Sequence, residues 1–318
     1  MVLKDQKVAV VTGCSTGIGL ETCLLFARNG ILTYATMRDL NKSELIEKVA
    51  EKEGLPLKVI RMDVNRDDSV AEAIQKILYE GRGIDILVNN AGFGLFGALE
   101  DLRIEDIKKQ FETNVFGAIR TIQQVLPVMR NQRSGIIVNI SSMSGYIGFP
   151  ASSAYVSTKF ALEGLSESLA YEVAPYSIKV VLIEPGVVNT NFVENIMIPD
   201  NTQQIWSSQL ASLSPASPKH TISTGNSDNP KSQREITKYA EVVESFLSHY
   251  YSAMRNAPAP KDVAKVVLYS IEAALDSTSE GVNLFRYPVG EDAKLYAEAR
   301  RKMNDSELHA FVAKRTLS

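Results

Sequence analysis

Six short apolar runs recur along the first 190 residues of the chain, and a helical pattern lies between each run and the next. The runs are rich in Val, Ile and Leu, which is typical of strands buried on both faces. They are Lys7–Thr12, Ile31–Met37, Leu57–Met62, Ile84–Val88, Ile136–Ile140 and Ile178–Ile183. Strand and helix in strict alternation predict an α/β fold, a doubly wound parallel sheet of the Rossmann type. In such sheets, ligands bind beyond the carboxyl ends of the strands.

The first run leads into a glycine-rich turn, GCSTGIG, and then into a helical pattern that closes at Gly30. Glycines there permit a tight turn and let a pyrophosphate approach backbone N–H groups at the positive end of the helix. An ordinary strand-to-helix turn is the alternative, because the spacing Gly-x-x-x-Gly-x-Gly differs from the commoner Gly-x-Gly-x-x-Gly. The predicted cofactor-binding residues of this turn are Gly13, Ser15, Thr16, Gly17, Ile18 and Gly19.

The second and third strands carry charged residues at their ends. We place Thr36 at the tip of the second strand, so that Arg38 lies just beyond it and can pair with a 2′-phosphate. Arg38 therefore favours NADP(H) over NAD(H). A shift in register would instead bring Asp39 to the ribose, and a solvated surface position is the other alternative for Arg38. Asp63, followed by Val64, either accepts from the adenine amino group or caps a turn.

Small and amide residues leave two further strands, where they allow a ligand to approach the backbone closely. The predicted cofactor contacts there are Asn90, Ala91, Gly92, Pro185, Gly186, Val188 and Thr190.

Tyr155 and Lys159 lie four residues apart in the stretch Ser142–Lys159. On a helix this spacing places both side chains on one face, where the ammonium favours the phenolate and lowers the tyrosine pKa. Ser142 follows the fifth strand and can polarise a carbonyl oxygen beside the tyrosine. These three residues predict a site that transfers protons without metal or histidine. Asn114, in the middle of the helical stretch Ile104–Arg130, indicates a local kink or a satisfied backbone group.

Composition excludes several classes of function. The net charge is −3 and the basic residues are scattered, so no nucleic-acid partner is expected. No apolar stretch approaches the ~18 residues that span a bilayer, so no transmembrane segment is expected. Two cysteines exclude a disulfide framework and, with no signal-peptide pattern, predict a cytoplasmic protein. Three widely spaced histidines predict no metal site.

In this order and spacing, the motifs resemble those of the short-chain dehydrogenase/reductase family, from Lys7 to about Thr190. The resemblance implies that Tyr155 is the catalytic acid/base, that Lys159 binds the nicotinamide ribose and that Ser142 orients the substrate. It further implies that Asn114 holds a water in the proton relay, that Thr190 binds the nicotinamide amide, and that the protein forms a homodimer or homotetramer. TGCSTGIG together with YATMRDL is most similar to the branch of 17β-hydroxysteroid dehydrogenase type 1 and the photoreceptor-type retinol dehydrogenases.

About seventy residues separate Thr190 from Pro260, more than a short lid needs. We expect one domain, with a core at about 5–190 and 260–290, a substrate lid at about 191–259 and C-terminal helices at 291–318. The segment 207–233 is rich in Ser, Pro, Thr and Asn and predicts a mobile loop. The apolar residues near the nicotinamide end favour a lipophilic steroid-, retinoid- or aldehyde-like substrate. The predicted substrate contacts, besides Ser142 and Tyr155, are Phe93, Phe96, Tyr146, Phe149, Phe192 and Met197.

The leading hypothesis is an NADP(H)-dependent oxidoreductase that acts on a lipophilic carbonyl or alcohol. One alternative is a 3-oxoacyl thioester reductase of lipid synthesis, which would call for a basic patch that the sequence does not display. The other is a non-catalytic protein that senses NADP(H).

Overall fold

The computed structural model describes residues 6–80, 83–190, 192, 196–203, 205–207, 236–277 and 281–317. The predicted mobile loop at 207–233 lies outside these ranges beyond its first residue. Residues 193–195, part of the predicted lid, also lie outside them.

Seven parallel strands form one sheet in the order β3-β2-β1-β4-β5-β6-β7. The strands are β1 (Val8–Val11), β2 (Leu32–Met37), β3 (Leu57–Arg61), β4 (Ile86–Asn89), β5 (Gly135–Ile140), β6 (Ile178–Pro185) and β7 (Leu284–Val289). The strand order reverses direction between β1 and β4, which is where ligands bind in open sheets of this kind. The prediction of a doubly wound parallel sheet is confirmed.

Ten α-helices of eight residues or more lie in the described ranges, together with several short 3₁₀-helices. They are α1 (Gly17–Arg28), α2 (Glu44–Glu53), α3 (Asp67–Tyr79), α4 (Ile104–Phe111), α5 (Gly117–Gln132), α6 (Ser153–Val173), α7 (Ala240–Met254), α8 (Pro260–Asp276), α9 (Glu291–Lys302) and α10 (Asp305–Thr316). Within the same ranges, no helix combines the length and apolarity required to cross a bilayer.

Alternate side chains of each central strand point to opposite faces of the sheet and enter two separate apolar cores. In β1, Ala9 and Val11 belong to the core that α1 and α8 cover, whereas Val8 and Val10 belong to the core under α3, α5 and α6. Burial on both faces explains why the strands read as continuous apolar runs. This packing fixes the carboxyl ends of the strands at one edge, where the loops gather.

Two elements differ from the sequence-based expectation. The helical stretch from Ile104 is interrupted by a π-helical turn, Glu112–Phe116, between α4 and α5. The last strand begins at Leu284, although the apolar run VNLF begins two residues earlier at Val282, and it continues through Pro288. Proline is tolerated there because β7 is an edge strand and needs no second ladder of hydrogen bonds.

Candidate active site

A cleft of about 1070 Å³ opens at the carboxyl edge of the sheet. Small-molecule pockets usually measure about 300–1,000 Å³, so this cleft has room for two ligands side by side. Its walls come from the loops that follow β1 to β6 and from helices α7, α9 and α10.

The glycine turn between β1 and α1 forms one end of the cleft. Gly13 and Gly17 have φ of 71° and 63°, a conformation that favours glycine. A Cβ on Gly19 would lie 2.5 Å from the side-chain nitrogen of Asn90, so this glycine lets α1 pack against the loop after β4. Thr16 makes no side-chain cap and the first turn of α1 has no acidic residue. The positive helix end therefore remains available to an anionic group.

Asn90 joins this turn to the end of β4. Its side-chain nitrogen donates to the carbonyl oxygens of Thr12 and Gly13 at 2.9 and 3.0 Å. The Thr12 hydroxyl in turn accepts from the backbone N–H groups of Asn90 and Ala91, both at 3.0 Å. These four hydrogen bonds tie the ends of β1 and β4 together and hold two loops of the cleft in place.

The end of β2 supplies the cationic part of the cleft. The strand ends at Met37, one residue beyond the expected tip, Thr36. The side chain of Thr36 is buried, and its hydroxyl donates to a backbone carbonyl inside the sheet. Arg38 therefore follows the strand directly and lines the cleft. The side chain of Asp39 accepts from the N–H of Asn41 at 3.0 Å, so its carboxylate is engaged in a local turn.

Asp63 follows β3 and does not cap the next helix, whose N-cap is Arg66. It lines the cleft, and its carboxylate also accepts from the N–H of Asn65 at 3.1 Å in a local turn.

Nearly all other predicted cofactor contacts line the cleft as well. These are Gly13, Ser15, Thr16, Gly17, Ile18, Val64, Asn90, Ala91, Gly92, Tyr155, Lys159, Pro185, Gly186, Val188 and Thr190. Gly19 is not among the lining residues because it packs against Asn90.

Tyr155, Lys159 and Ser142 meet on the floor of the cleft. Both Tyr155 and Lys159 project from α6, and the Lys159 nitrogen lies 5.6 Å from the centroid of the tyrosine ring. That ammonium donates to the carbonyl of Ile140 at the end of β5, at 2.8 Å. The Ser142 hydroxyl donates to the Pro185 carbonyl at 3.3 Å. The structure therefore brings the three predicted groups together.

Burial shifts both titratable groups of this cluster toward their neutral forms. It raises the pKa of Tyr155 to about 12, although the hydrogen bond with Ser142 acts in the opposite direction. It lowers the pKa of Lys159 to about 8, while the charge of Glu163 favours the ammonium. The sequence argument expected the lysine to lower the tyrosine pKa; in the protein alone, desolvation dominates. Tyr155 is consequently a protonated acid at neutral pH.

A buried group of charges lies behind Lys159. A side-chain nitrogen of Arg286 is 3.0 Å from Glu163, and another is 3.2 Å from Glu184. The contact between Arg286 and Glu184 is close enough for an ion pair. It is not a hydrogen bond, and Oε1 of Glu184 has no hydrogen-bond partner in the described structure. One guanidinium thus serves two carboxylates that are 6% and 2% exposed. Burial raises the pKa of both, and the charge of Glu163 helps to raise that of Glu184 to about 7.

Asn114 lies in the π-helical turn and satisfies the loop after β4. Its side-chain oxygen accepts from the N–H of Phe93 at 3.1 Å, and its nitrogen donates to the carbonyl of Phe93 at 3.0 Å. The kink and the satisfied backbone group that the sequence indicated therefore occur together. Asn114 and Lys159 both line a small cavity of about 10 Å³, which is about the space that one water molecule requires.

Aromatic rings enclose Tyr155 on the side away from the glycine turn. Phe96 is 4% exposed, and its ring centroid lies 5.8 Å from that of Tyr155. It also lies 5.3 Å from Phe246 and 5.7 Å from Tyr250, both on α7. Phe192 approaches Tyr155 from another direction, at 6.0 Å. The phenol of Tyr155 thus faces an apolar compartment.

Five of the predicted apolar substrate contacts line the cleft, namely Phe93, Phe96, Phe149, Phe192 and Met197. Tyr146 does not. Its hydroxyl donates to the carbonyl of Ala293 at 3.0 Å, and its ring packs under α9 and α10. Position in the sequence placed Tyr146 near the site but could not show the direction of its side chain.

Several lining residues escaped the sequence argument. They are Lys42, Ile196, Phe246, His249, Asp292, Leu295, Tyr296 and Arg315. Lys42 follows Arg38 by four residues and was detectable as a second cation after β2. The residues of α7, α9 and α10 were not, because helical periodicity does not tell which face docks on a distant cleft.

Comparison with known proteins supports the fold and the motifs together. A family model described as short chain dehydrogenase matches residues 7–200. An uncharacterized oxidoreductase of Bacillus subtilis, YusZ, is 33% identical over 293 residues, which cover 92% of this chain and 91% of that protein.

Two human relatives match a shorter segment. Retinol dehydrogenase 8 is 44% identical over 190 residues, 58% of this chain and 60% of that protein. The human 17-beta-hydroxysteroid dehydrogenase type 1 is 38% identical over 198 residues, 60% of this chain and 60% of that protein. Both matches cover less than two-thirds of the relative. The resemblance to this branch is confirmed.

Solved structures share the fold over nearly the whole chain. A short-chain dehydrogenase from Streptomyces avermitilis is 28% identical with a TM-score of 0.72, covering 98% of this chain and 96% of that chain. ElxO, solved with NADP bound, is 26% identical with a TM-score of 0.63, covering 89% of this chain and 97% of that chain.

Proposed function

Because the chain belongs to the short-chain dehydrogenase family, and is thus a dehydrogenase/reductase, we propose that it uses NADP(H) to interconvert a lipophilic carbonyl compound and its alcohol. The observation that carries the proposal is the position of Tyr155. Its half-buried side chain lies where the glycine-turn end of the cleft meets an apolar compartment of aromatic rings. A phenol at this junction can reach both a bound cofactor and a lipophilic substrate.

Three observations support a dinucleotide with a 2′-phosphate. The uncapped start of α1 suits the pyrophosphate, and the positive φ of Gly17 keeps the backbone accessible. Arg38 and Lys42 line the same end and can pair with the 2′-phosphate, while the carboxylate of Asp39 is engaged in a local turn. The relative ElxO binds NADP, which agrees with this choice. When bound, the cofactor supplies or accepts the hydride.

The residues of the chain perform the proton transfer. With a pKa of about 12 in the protein alone, Tyr155 holds its proton at neutral pH and can donate it to the oxygen of a carbonyl undergoing reduction. Ser142 orients that oxygen. Lys159 can return a proton toward Tyr155, since it also borders the small cavity next to Asn114. The aromatic rings around Phe96 exclude water and bind the apolar body of the substrate.

Removal of one hydroxyl tests the assignment. Tyr155→Phe should lower kcat by about 10²–10⁴-fold, the usual contribution of a general acid, while the Kd for NADPH changes little. Tyr251→Phe is the matched control, because Tyr251 is buried nearby without lining the cleft and its hydroxyl has no partner in the described structure. All-trans-retinal, estrone and a medium-chain aldehyde would each be offered with NADPH. Wild-type activity that survives in Tyr155→Phe would refute the role.

The cofactor choice has its own test. NADPH should support a higher kcat/KM than NADH, and the double variant Arg38→Gln/Lys42→Gln should raise the KM for NADPH by about tenfold or more with little effect on NADH. Preference for NADH in the wild type would contradict the proposal. NADPH binding without turnover of any carbonyl would favour a cofactor sensor.

A further inference from the structure

The cleft continues beyond the aromatic rings around Tyr155 to a polar end between the C-terminal helices. His249 of α7, Tyr296 of α9 and Arg315 of α10 line this end. Phe149 packs against the cluster that contains Tyr155, and its ring centroid also lies 5.2 Å from that of Tyr296. A ligand that starts at Tyr155 can therefore follow an apolar wall to a polar one.

Tyr296, in the wall of this end of the cleft, carries a polar atom without a partner in the described structure. The residue is 2% exposed, and its hydroxyl is buried without a hydrogen-bond partner among the described residues. Its ring is held by Phe149 and, at 5.8 Å, by Phe311. Buried tyrosine hydroxyls usually find a partner. A buried hydroxyl without a partner, on a residue that lines a cleft, marks a position where a ligand can supply the acceptor once the side chain turns toward it.

Arg315 places a positive charge beside that hydroxyl. Its guanidinium lies 4.9 Å from the centroid of the Phe311 ring, and no carboxylate pairs with it within the described ranges. Burial lowers the pKa of His249, and the positive charge of Arg315 lowers it further. Burial raises the pKa of Tyr296, and the charge of Arg315 opposes this rise. The negative charge of Asp292 has the opposite effect, because it raises the pKa of both His249 and Tyr296. Arg315 and Tyr296 also contact the same ring, that of Phe311, at 4.9 and 5.8 Å from its centroid.

The two acidic residues at this end are already engaged. The carboxylate of Asp292 accepts from the N–H of Val187 at 2.7 Å and from that of Ala293 at 2.8 Å. Glu291 pairs with Lys294 at 3.0 Å. Their charges are therefore partly compensated, which leaves a guanidinium and a phenol, both hydrogen-bond donors, facing the cleft beside an imidazole.

We propose that His249, Tyr296 and Arg315 form a second anchoring site, which binds a carboxylate at the end of the substrate opposite its carbonyl group. The substrates this site selects are lipophilic oxo-acids rather than neutral lipids alone. Arg315 and Tyr296 donate to the carboxylate, and the neutral imidazole of His249 supplies a third N–H. The inference rests on the proposed function for the carbonyl end, but the carboxylate site can be tested by binding alone.

The experiment compares an ω-oxo fatty acid of twelve carbons with its methyl ester. Calorimetric titration of the full chain, alone and with NADP⁺, gives the two Kd values; NADPH oxidation gives the two kcat/KM values. The wild type should bind the acid at least about tenfold more tightly than the ester, the effect of one charge-assisted hydrogen bond. Tyr296→Phe and Arg315→Gln should each weaken acid binding by about tenfold and leave ester binding unchanged. Arg130→Gln, at an exposed position of α5, is the matched control and should change neither.

Equal affinity for acid and ester in the wild type would overturn the proposal, as would a preference for the acid that survives both substitutions. Tyr296→Phe keeps the ring contacts with Phe149 and Phe311, so it separates loss of the hydroxyl from loss of folding. Preferential binding of the acid with no turnover would support the anchoring site and refute the oxidoreductase function for this substrate class.

Discussion

Glu184→Gln should change the pH dependence of stability, because Glu184 carries the excess negative charge of a buried cluster. A single guanidinium, that of Arg286, faces both Glu184 and Glu163. The pKa of Glu184 rises from 4.5 to about 7 on folding. A raised folded pKa means that the stabilising contribution is full below pH 4.5 and is lost as the pH rises through 7. The full difference of about 2.5 units corresponds to about 3 kcal/mol.

As the pH rises from 5.5 to 8.5, deprotonation of Glu184 should lower the free energy of unfolding by about 2 kcal/mol. Urea denaturation across this range should therefore show a steeper decline for the wild type than for Glu184→Gln, whose amide does not titrate. Glu167→Gln is the control, since Glu167 also pairs with Arg286 but has a side chain that is 56% exposed. Parallel pH profiles of the wild type and Glu184→Gln would refute the buried-charge argument.

Two further predictions concern contacts that hold the cleft loops. Asp292→Ala should raise the KM for NADPH about tenfold, because it releases the N–H of Val187. Gly186→Ala should disturb the same contact, since its Cβ would lie 2.0 Å from the Asp292 carboxylate, and the double variant should therefore have a KM no higher than either single variant. Gly148→Ala is the neutral control, because a Cβ at position 148 meets nothing within 4 Å. Asn114→Ala leaves the backbone N–H of Phe93 without its partner, whereas the carbonyl of Phe93 keeps the side-chain N–H of Gln110 as a donor. The free energy of unfolding measured in urea should therefore fall by about 1–3 kcal/mol, and an unchanged value would contradict the bonding described.

Much of the site was predictable because a parallel sheet brings the carboxyl ends of its strands to one edge. Gly13, Asn90, Ser142 and Tyr155 are far apart in sequence, yet each follows a strand or begins the next helix, so topology alone assembles them. The position of Tyr155 relative to Lys159 followed from helical periodicity.

Other features depend on tertiary packing, which local patterns do not contain. The end of β2 was misplaced by one residue because Thr36 and Met37 are equally compatible with a buried strand. The direction of Tyr146 depends on α9 and α10, about 150 residues away. The raised pKa of Tyr155 depends on how completely the lid and the sheet bury it. A charge at i+4 is visible in a sequence, but desolvation is not.

The ring of Phe96 links the position of Tyr155, the proposed acid/base residue, to that of α7. Its ring touches Tyr155 on one side and Trp206, Phe246 and Tyr250 on the other. A chimera that receives the α7 segment of a relative would inherit new apolar contacts, but it would also tilt or loosen the ring on which the phenol rests. Engineering a new substrate range through the lid alone should therefore slow the chemical step, and recovery should require compensating changes at position 96.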